Sequence, residues 1–203
     1  MSPIYVVVEG PDGVGKTVTA ALLAERLQRR GKRVLAVREP GTTAAGTKIR
    51  EVLLNGNDLE PLTQFYLFHA ARIELLKWLQ TAAVGYDYVV FDRFYHSSYA
   101  YQIRGDLLPD SIWDSTQLDL CRYLGLTEVR TALLMLPDNE RQKRLSARAG
   151  SRKDAFESKP PEYQQRVREA YYWTIAAWPN TMEFSSLMPC EQVVSNIICR
   201  MQL

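Results

Sequence analysis

Short apolar runs rich in β-branched residues alternate along this chain with longer stretches of helical period. Ile4–Glu9 (IYVVVE), Arg33–Arg38 (RVLAVR), Asp87–Asp92 (DYVVFD) and Arg130–Leu136 (RTALLML) are almost uninterrupted apolar runs, the pattern of strands covered on both faces. Glu183–Ser185 is a weaker fifth candidate. Between the first two runs lies Thr17–Arg30, where Ala20, Leu23, Ala24 and Leu27 share one face and Gly31 stands where a helix would end. That is a complete βαβ unit. The same period predicts helices over Gly46–Asn55, Pro61–Gln80, Ile112–Tyr123, Asn139–Ala149, Glu162–Trp178 and Glu191–Met201. The alternation predicts an α/β fold around a mainly parallel, five-stranded sheet. One stretch departs from it: Ala149–Pro161 (AGSRKDAFESKPP) carries charge, Gly, Ser and two prolines between two helices, and reads as a mobile surface segment.

Composition narrows the possibilities without choosing among them. The chain has 203 residues, 46% hydrophobic and 24% charged, which excludes a disordered, collagen-like or disulfide-stapled chain and leaves enough residues for one sizeable core. A net charge of +2 gives no broad electrostatic footprint for duplex nucleic acid. Cys121, Cys190 and Cys199 follow no metal-ligand spacing, and with only His69 and His96 beside them no zinc site is expected. Ile4–Val8 is too short for a signal-peptide core or a membrane span. The expectation is a cytoplasmic protein with no membrane partner.

The first chemistry appears directly after the first strand. Gly10-Pro11-Asp12-Gly13-Val14-Gly15-Lys16-Thr17 matches G-x-x-x-x-G-K-[ST] in full and leads straight into the first helix. Glycines let backbone N–H groups converge on phosphate oxygens, the helix N-terminus adds positive charge, and Lys16 supplies a cation to the β- and γ-phosphates. The Thr17 hydroxyl suits Mg²⁺, and Asp92, closing the strand Tyr88–Phe91, stands where such folds place a carboxylate near that ion. ATP with Mg²⁺ is the expected donor and cofactor. Guanine-specific GTPases use an Asn-Lys-x-Asp element, which the chain lacks. Arg141, Arg144, Arg148 and Arg152 follow at intervals of three, four and four, which lines the first three along one helical stripe and leaves the fourth at its fraying end. Elsewhere such a stripe would be a solvated face. Beside a phosphate loop it suits a small phosphoryl-transfer kinase, whose mobile arginines stabilise the γ-phosphoryl group in flight.

Several elements taken in order resemble the thymidylate kinase family. GPDGVGKT is similar to that family's phosphate loop, Arg38-Glu39-Pro40-Gly41-Thr42 to its REPGGT segment, and Ile49–Leu54 to the helix that follows. Leu67-Phe68-His69-Ala70-Ala71-Arg72 is similar to LFAAxR, and Asp92-Arg93-Phe94 with Ser97–Gln102 to DRY followed by SSLAYQ. Arg148–Glu157 and Arg166–Tyr171 resemble its lid and the helix after it. The resemblance runs from Ile4 to about Tyr172. It implies one P-loop NTPase-type domain over residues 1–203, a three-layer α/β/α sandwich with a lid at about 141–160. It also implies a homodimer, for which the apolar positions of Pro61–Gln80 and Ile112–Tyr123 are available, and the transfer of the ATP γ-phosphate to dTMP.

The roles it implies are physically coherent. Phe68 would stack on the pyrimidine, with Arg72 one turn later on the same helix face and Gln102 both bonding the base. Arg50 and Arg93 would hold the monophosphate, whose oxygens a planar guanidinium fork matches. Tyr101 would pack against the sugar 2′ position, while Arg38, Glu39, Pro40 and Ser98 would complete the acceptor pocket. Asp12 would contact the 3′-hydroxyl, and with Lys16, Arg93, Arg148 and Arg152 would make up the catalytic set. Gly10 to Thr17, Arg141 and Arg144 would bind ATP. Taken singly, each would pass as a core residue or a solvated charge. Four positions depart from the pattern: Thr42 for the second glycine of the turn, Val18 for a threonine, His69 for a small residue beside Phe68, and Tyr99 for leucine. His69 and Tyr99 leave open a kinase for dUMP or a 5-substituted dUMP. A deoxynucleoside kinase, or a P-loop ATPase that makes no phosphorylated product, stands further off. With Gly13 in place of arginine, the resemblance implies the branch whose catalytic arginines lie in the lid.

Overall fold

The computed structural model describes residues 2–55, 59–124, 128–147 and 156–203. Five strands, β1 (Ile4–Glu9), β2 (Val34–Arg38), β3 (Tyr88–Asp92), β4 (Val129–Met135) and β5 (Thr181–Ser185), form one parallel sheet in the order β2-β3-β1-β4-β5. The four apolar runs and the weaker fifth are all strands, and the fifth starts two residues earlier than its sequence indicates. Strand alternation sorts their side chains onto two faces. Val6, Val8, Val90 and Leu134 meet α1 (Lys16–Arg29) and α8 (Cys190–Arg200) on one side. Tyr5, Val7, Val89 and Phe91 meet Leu75, Leu76 and Leu79 of α3 (Pro61–Ala82) on the other. The expected three-layer arrangement is therefore present.

A third apolar cluster extends the second layer towards the carboxyl end of the sheet. It joins Phe65 of α3 to Trp113 of α5 (Asp110–Leu124) and to Tyr163, Val167 and Tyr171 of α7 (Pro161–Ala177). Two shorter helices are α2 (Ala44–Leu54) and α6 (Asp138–Ser146). Thr43 starts α2, its hydroxyl accepting from the Gly46 N–H at 3.0 Å.

One helical stretch has no counterpart in the sequence reading. After β3 the chain forms α4 (Tyr95–Ser98) and runs on as a seven-residue π-helix, Tyr99–Gly105. Six of those seven residues are buried, so no polar stripe marks a period. The wider π turn is a form that clusters at functional sites. Behind it His96 is fully buried, stacked on Tyr95 at 4.3 Å between ring centroids and edge-on to Trp178 at 4.5 Å. Neither ring nitrogen has a hydrogen-bond partner among the described residues.

Burial, with Arg72 nearby, holds His96 neutral down to about 3. Its folded pKa lies below the unfolded value of about 6.5, so the stability it allows is complete above pH 6.5 and is lost as pH falls from there towards 3. His96→Phe keeps the ring and removes that loss. At pH 8 the variant should match the parent within about 1 kcal/mol, and at pH 5.5 the parent should lose about 1.4 kcal/mol relative to it. Urea unfolding at the two pH values measures this; an equal difference at both contradicts it.

Candidate active site

Strand register makes the site. Val8, Arg38 and Asp92 pair across β1, β2 and β3, so Glu9, Glu39 and Arg93 leave the sheet level with one another. They open on the crevice at the carboxyl ends of the strands, the place where open α/β sheets bind ligands. The described residues there enclose a cleft of about 240 Å³ that runs from the phosphate loop to Phe68, Tyr101 and Gln102.

The phosphate loop takes the conformation its glycines permit. Gly10 has φ 141° and Gly15, which precedes α1, has φ 94°, both in the region that side chains disfavour. Lys16 is buried and donates to the Pro11 carbonyl at 2.7 Å. Burial and the nearby Arg93 pull its pKa down to about 8, against Asp12, Glu9 and Asp92. The Thr17 hydroxyl donates to Asp92 Oδ2 at 2.8 Å, which brings together the two oxygens expected at the metal.

Asp12 is the charged centre of the cleft. Arg93 pairs with it, Lys16 stands 3.6 Å away, and the Tyr101 hydroxyl donates to its Oδ2 at 2.6 Å. Burial would push the carboxyl pKa up, but the two cations and the hydrogen bonds outweigh it and hold it well below the usual carboxylate range. Asp12 is therefore an acceptor at neutral pH. The same contact, with burial as the larger cause, raises Tyr101 well above an ordinary phenol, so its hydroxyl keeps its proton and stays a donor.

A second buried pair lies at the far end. Glu39 Oε1 is 2.5 Å from Arg72, which also donates to the Ser98 hydroxyl at 2.8 Å. Burial raises Glu39 to about 7 in spite of Arg72. Glu39 Oε2 and Arg72 Nε have no hydrogen-bond partner among the described residues, so each retains bonding capacity beside the cleft that both residues line. Thr42, the departure in the turn after β2, closes that turn with its own side chain. Its hydroxyl accepts from the Arg38 N–H at 2.7 Å and donates to the Arg38 carbonyl at 2.9 Å. Arg50 donates to the Pro40 carbonyl at 3.2 Å across the same turn.

All ten residues expected at the acceptor, Arg38, Glu39, Pro40, Arg50, Phe68, Arg72, Arg93, Ser98, Tyr101 and Gln102, line this cleft, as do Asp12, Lys16 and Thr17. The arginine stripe divides. Arg141 is 1% exposed and is no free cation. It donates to Asp138 from Nε at 3.1 Å and Nη2 at 2.9 Å, and to the Asp12 carbonyl at 3.3 Å. The β4–α6 turn brings Asp138 under it, and Gly13 leaves the room, since a Cβ there would lie 3.1 Å from Arg141 Cγ. Arg144 donates to the Ser186 carbonyl beyond β5 at 2.6 Å. Arg148 and Arg152 lie outside the described residues, as does most of the segment expected to be mobile.

His69 and Tyr99 do not line the cleft. His69 stacks against Phe65, and Tyr99 packs among Trp113, Trp173 and Trp178. The case they made for an altered acceptor pocket therefore has no support from their positions. Val18 does line the cleft, and its side chain is largely exposed.

Sequence reasoning missed Phe156 and Glu9. Phe156 is buried between Phe68 and Tyr101, with centroids 5.8 Å and 6.0 Å away, and lines the cleft. An apolar residue inside a charged, proline-rich segment was the available signal. Glu9 is fully buried and bonds to α4 and α7; its signal was an acid closing an otherwise apolar strand.

A family model described as thymidylate kinase matches residues 8–197. The thymidylate kinase of Leifsonia xyli subsp. xyli is 34% identical over 200 residues, covering 98% of this chain and 94% of its own. That of Methylococcus capsulatus is 35% identical over 176 residues, covering 86% and 83%. The crystal structure of thymidylate kinase from Ehrlichia chaffeensis has the same fold, with a TM-score of 0.76, full coverage of both chains and 24% identity.

Proposed function

The chain belongs to the thymidylate kinase family and phosphorylates dTMP with ATP as donor, and we propose the following division of labour within its cleft. The backbone N–H groups of Gly13, Val14, Gly15, Lys16 and Thr17, with Gly10 and Pro11 shaping the loop, cradle the β- and γ-phosphates. Lys16 exchanges the Pro11 carbonyl for phosphate oxygen. Arg50 and Arg93 grip the acceptor's monophosphate, Phe68 stacks on thymine, and Arg72, Gln102 and Ser98 satisfy its polar edge beside Glu39 and Pro40. Arg38, 3.6 Å from Asp92, completes the acceptor wall. Asp12, an ionised acceptor, receives the sugar 3′-hydroxyl, and Tyr101, pinned to Asp12, closes the space a 2′-hydroxyl would need. The contiguity of the acceptor set with the phosphate loop in one cleft is the observation that supports this assignment.

The attacking group is an oxygen of the acceptor phosphate, which is already a competent nucleophile. Catalysis then rests on position and charge. Arg148 and Arg152, in a lid spanning about 141–160 of one catalytic domain, are the proposed partners of the γ-phosphoryl group. Arg144, which would have to leave the Ser186 carbonyl, is proposed for the donor side, and Arg141 reaches the donor through the Asp12 backbone. Thr17 and Asp92 fit Mg²⁺, a hard cation that takes few protein oxygens beside phosphate and water, and among the described residues no larger cluster of His, Cys, Asp and Glu competes. When bound, Mg²⁺ neutralises charge on the β- and γ-phosphates.

The test is ADP formation with ATP and Mg²⁺ against dTMP, dUMP, dCMP, ribosyl TMP and thymidine. dTMP should be the best acceptor, with ribosyl TMP at least about tenfold poorer in kcat/KM because Tyr101 has no room to yield. Phosphorylation of thymidine in place of dTMP, or equal ADP release without acceptor, contradicts the assignment. A homodimer is proposed from Leu62 and Tyr66, exposed one turn apart on α3, with Val52 exposed on α2; sedimentation tests it. No helix of the described residues is long and apolar enough to cross a membrane, and the cytoplasm, where ATP and Mg²⁺ are abundant, is the proposed compartment.

A further inference from the structure

Glu9 closes β1 one residue before the phosphate loop, and its buried carboxyl group is met by donors alone. Oε1 accepts from the N–H groups of Phe94 at 2.6 Å and Ser97 at 3.1 Å. Oε2 accepts from the hydroxyls of Ser97 at 2.9 Å and Tyr171 at 3.0 Å, and from the Gly10 N–H at 3.3 Å. An acid this deep is tolerable only when its lone pairs are engaged in this way.

The donors show what Glu9 holds. Phe94 and Ser97 lie at the start of α4, where the Phe94 N–H precedes the helix and the Ser97 N–H is shared between the Phe94 carbonyl at 3.1 Å and Glu9, and the side chain of Phe94 cannot cap them. Glu9 caps them from another strand. The residue just before is Arg93, whose φ of 72° lies in the left-handed region that a residue with a Cβ enters at a cost of about 1–2 kcal/mol. Its guanidinium donates to the Ser97 hydroxyl at 3.2 Å, the hydroxyl that itself donates to Glu9. The same guanidinium pairs with Asp12 and lies 5.5 Å from the Tyr101 ring centroid. Both the backbone that follows Arg93 and the hydroxyl beside its charge therefore hang on one carboxyl group.

We infer that Glu9 is a positioning residue for Arg93, with Tyr171 of α7 as its outer support, an assignment that rests on the acceptor phosphate lying at Arg93 as proposed above. Glu9 fixes the direction in which Arg93 leaves the sheet, so that its guanidinium faces the acceptor when that phosphate arrives. Tyr171 ties the same group to the helix that follows the lid. Burial and Glu9 raise the Tyr171 hydroxyl well above an ordinary phenol, which keeps it a donor to that carboxyl group.

Glu9→Gln tests this at constant size, because the Ser97 and Tyr171 hydroxyls can turn to accept from the new amide. KM for dTMP should rise about tenfold, the worth of a charge-assisted hydrogen bond, with KM for ATP within about twofold of the parent. Tyr171→Phe should shift KM for dTMP the same way by about threefold. In an Arg93→Ala background, Glu9→Gln should change kcat/KM for dTMP by less than about twofold, since the group it positions is gone. If Arg93→Ala alone leaves dTMP kinetics unchanged, the acceptor assignment fails. If Arg93→Ala weakens dTMP but Glu9→Gln multiplies fully with it, or raises both KM values alike with a lower Tm, Glu9 is structural only. Should Glu9→Gln fail to fold, Tyr171→Phe in the two backgrounds decides the same question.

Discussion

Arg93→Ala is expected to raise KM for dTMP about a hundredfold or more while leaving KM for ATP within a fewfold of the parent. Two charge-assisted hydrogen bonds from one guanidinium to a phosphate are each worth about 1.5 kcal/mol or more, and each 1.4 kcal/mol is a factor of ten. Arg93 lines the acceptor cleft and its pKa is raised: burial opposes the charge, but Asp12, Tyr101, Tyr171 and Glu9 together outweigh it. The loss has a second component. The Asp12 carboxylate would lose its ion pair with Arg93 and keep the one with Lys16 at 3.6 Å, and a less restrained carboxylate would position the sugar poorly. Initial rates with dTMP and ATP varied separately measure the effect. An unchanged KM for dTMP would remove Arg93 from the acceptor site.

Gly10→Ala should be the most damaging change in the phosphate loop. An added Cβ would lie 2.2 Å from the Leu134 carbonyl oxygen, part of the backbone of a central strand, at a φ of 141°. Neither a side-chain rotation nor a small shift relieves such a contact. The expected cost is about 3 kcal/mol or more in stability, or a displaced loop with ATP affinity reduced at least about a hundredfold. Gly15→Ala is the control. Its φ of 94° is also unfavourable, but the space around its Cβ is empty to 4 Å among the described residues, so its stability cost should stay near 1 kcal/mol. Thermal unfolding with and without ATP separates the two; equal losses would show that backbone conformation alone, and not the contact with Leu134, governs the loop.

The parts legible in the sequence are those fixed by local pattern. Parallel strands buried on both faces must be continuous apolar runs, so β1 to β4 stood out, and the phosphate loop is one contiguous stretch whose glycines are dictated by backbone conformation. The acceptor residues are scattered from Arg38 to Gln102, and only their resemblance to ordered family motifs linked them. What stayed hidden depends on contacts between distant segments. Tyr95–Gly105 is helical but buried almost all round, which erases the amphipathic signal. Arg141 has the spacing of a surface stripe, yet it is buried because Asp138 and the Asp12 carbonyl satisfy it and Gly13 makes room. The support of Arg93 by Glu9 runs through Phe94, 85 positions from Glu9 in the chain, and no local period encodes it. His69 and Tyr99 were misleading for the opposite reason: both adjoin site residues in sequence, but the helices turn them into the aromatic layer behind the cleft.

The most direct measurement of the central claim is product identification after incubation with [γ-³²P]ATP, Mg²⁺ and dTMP. Label should appear in dTDP, in amounts equal to the ADP formed, and its appearance should depend on dTMP. Label released as inorganic phosphate at the same rate with or without dTMP, or found in dTMP when thymidine is supplied in its place, would contradict a cleft built to bind the acceptor as a monophosphate.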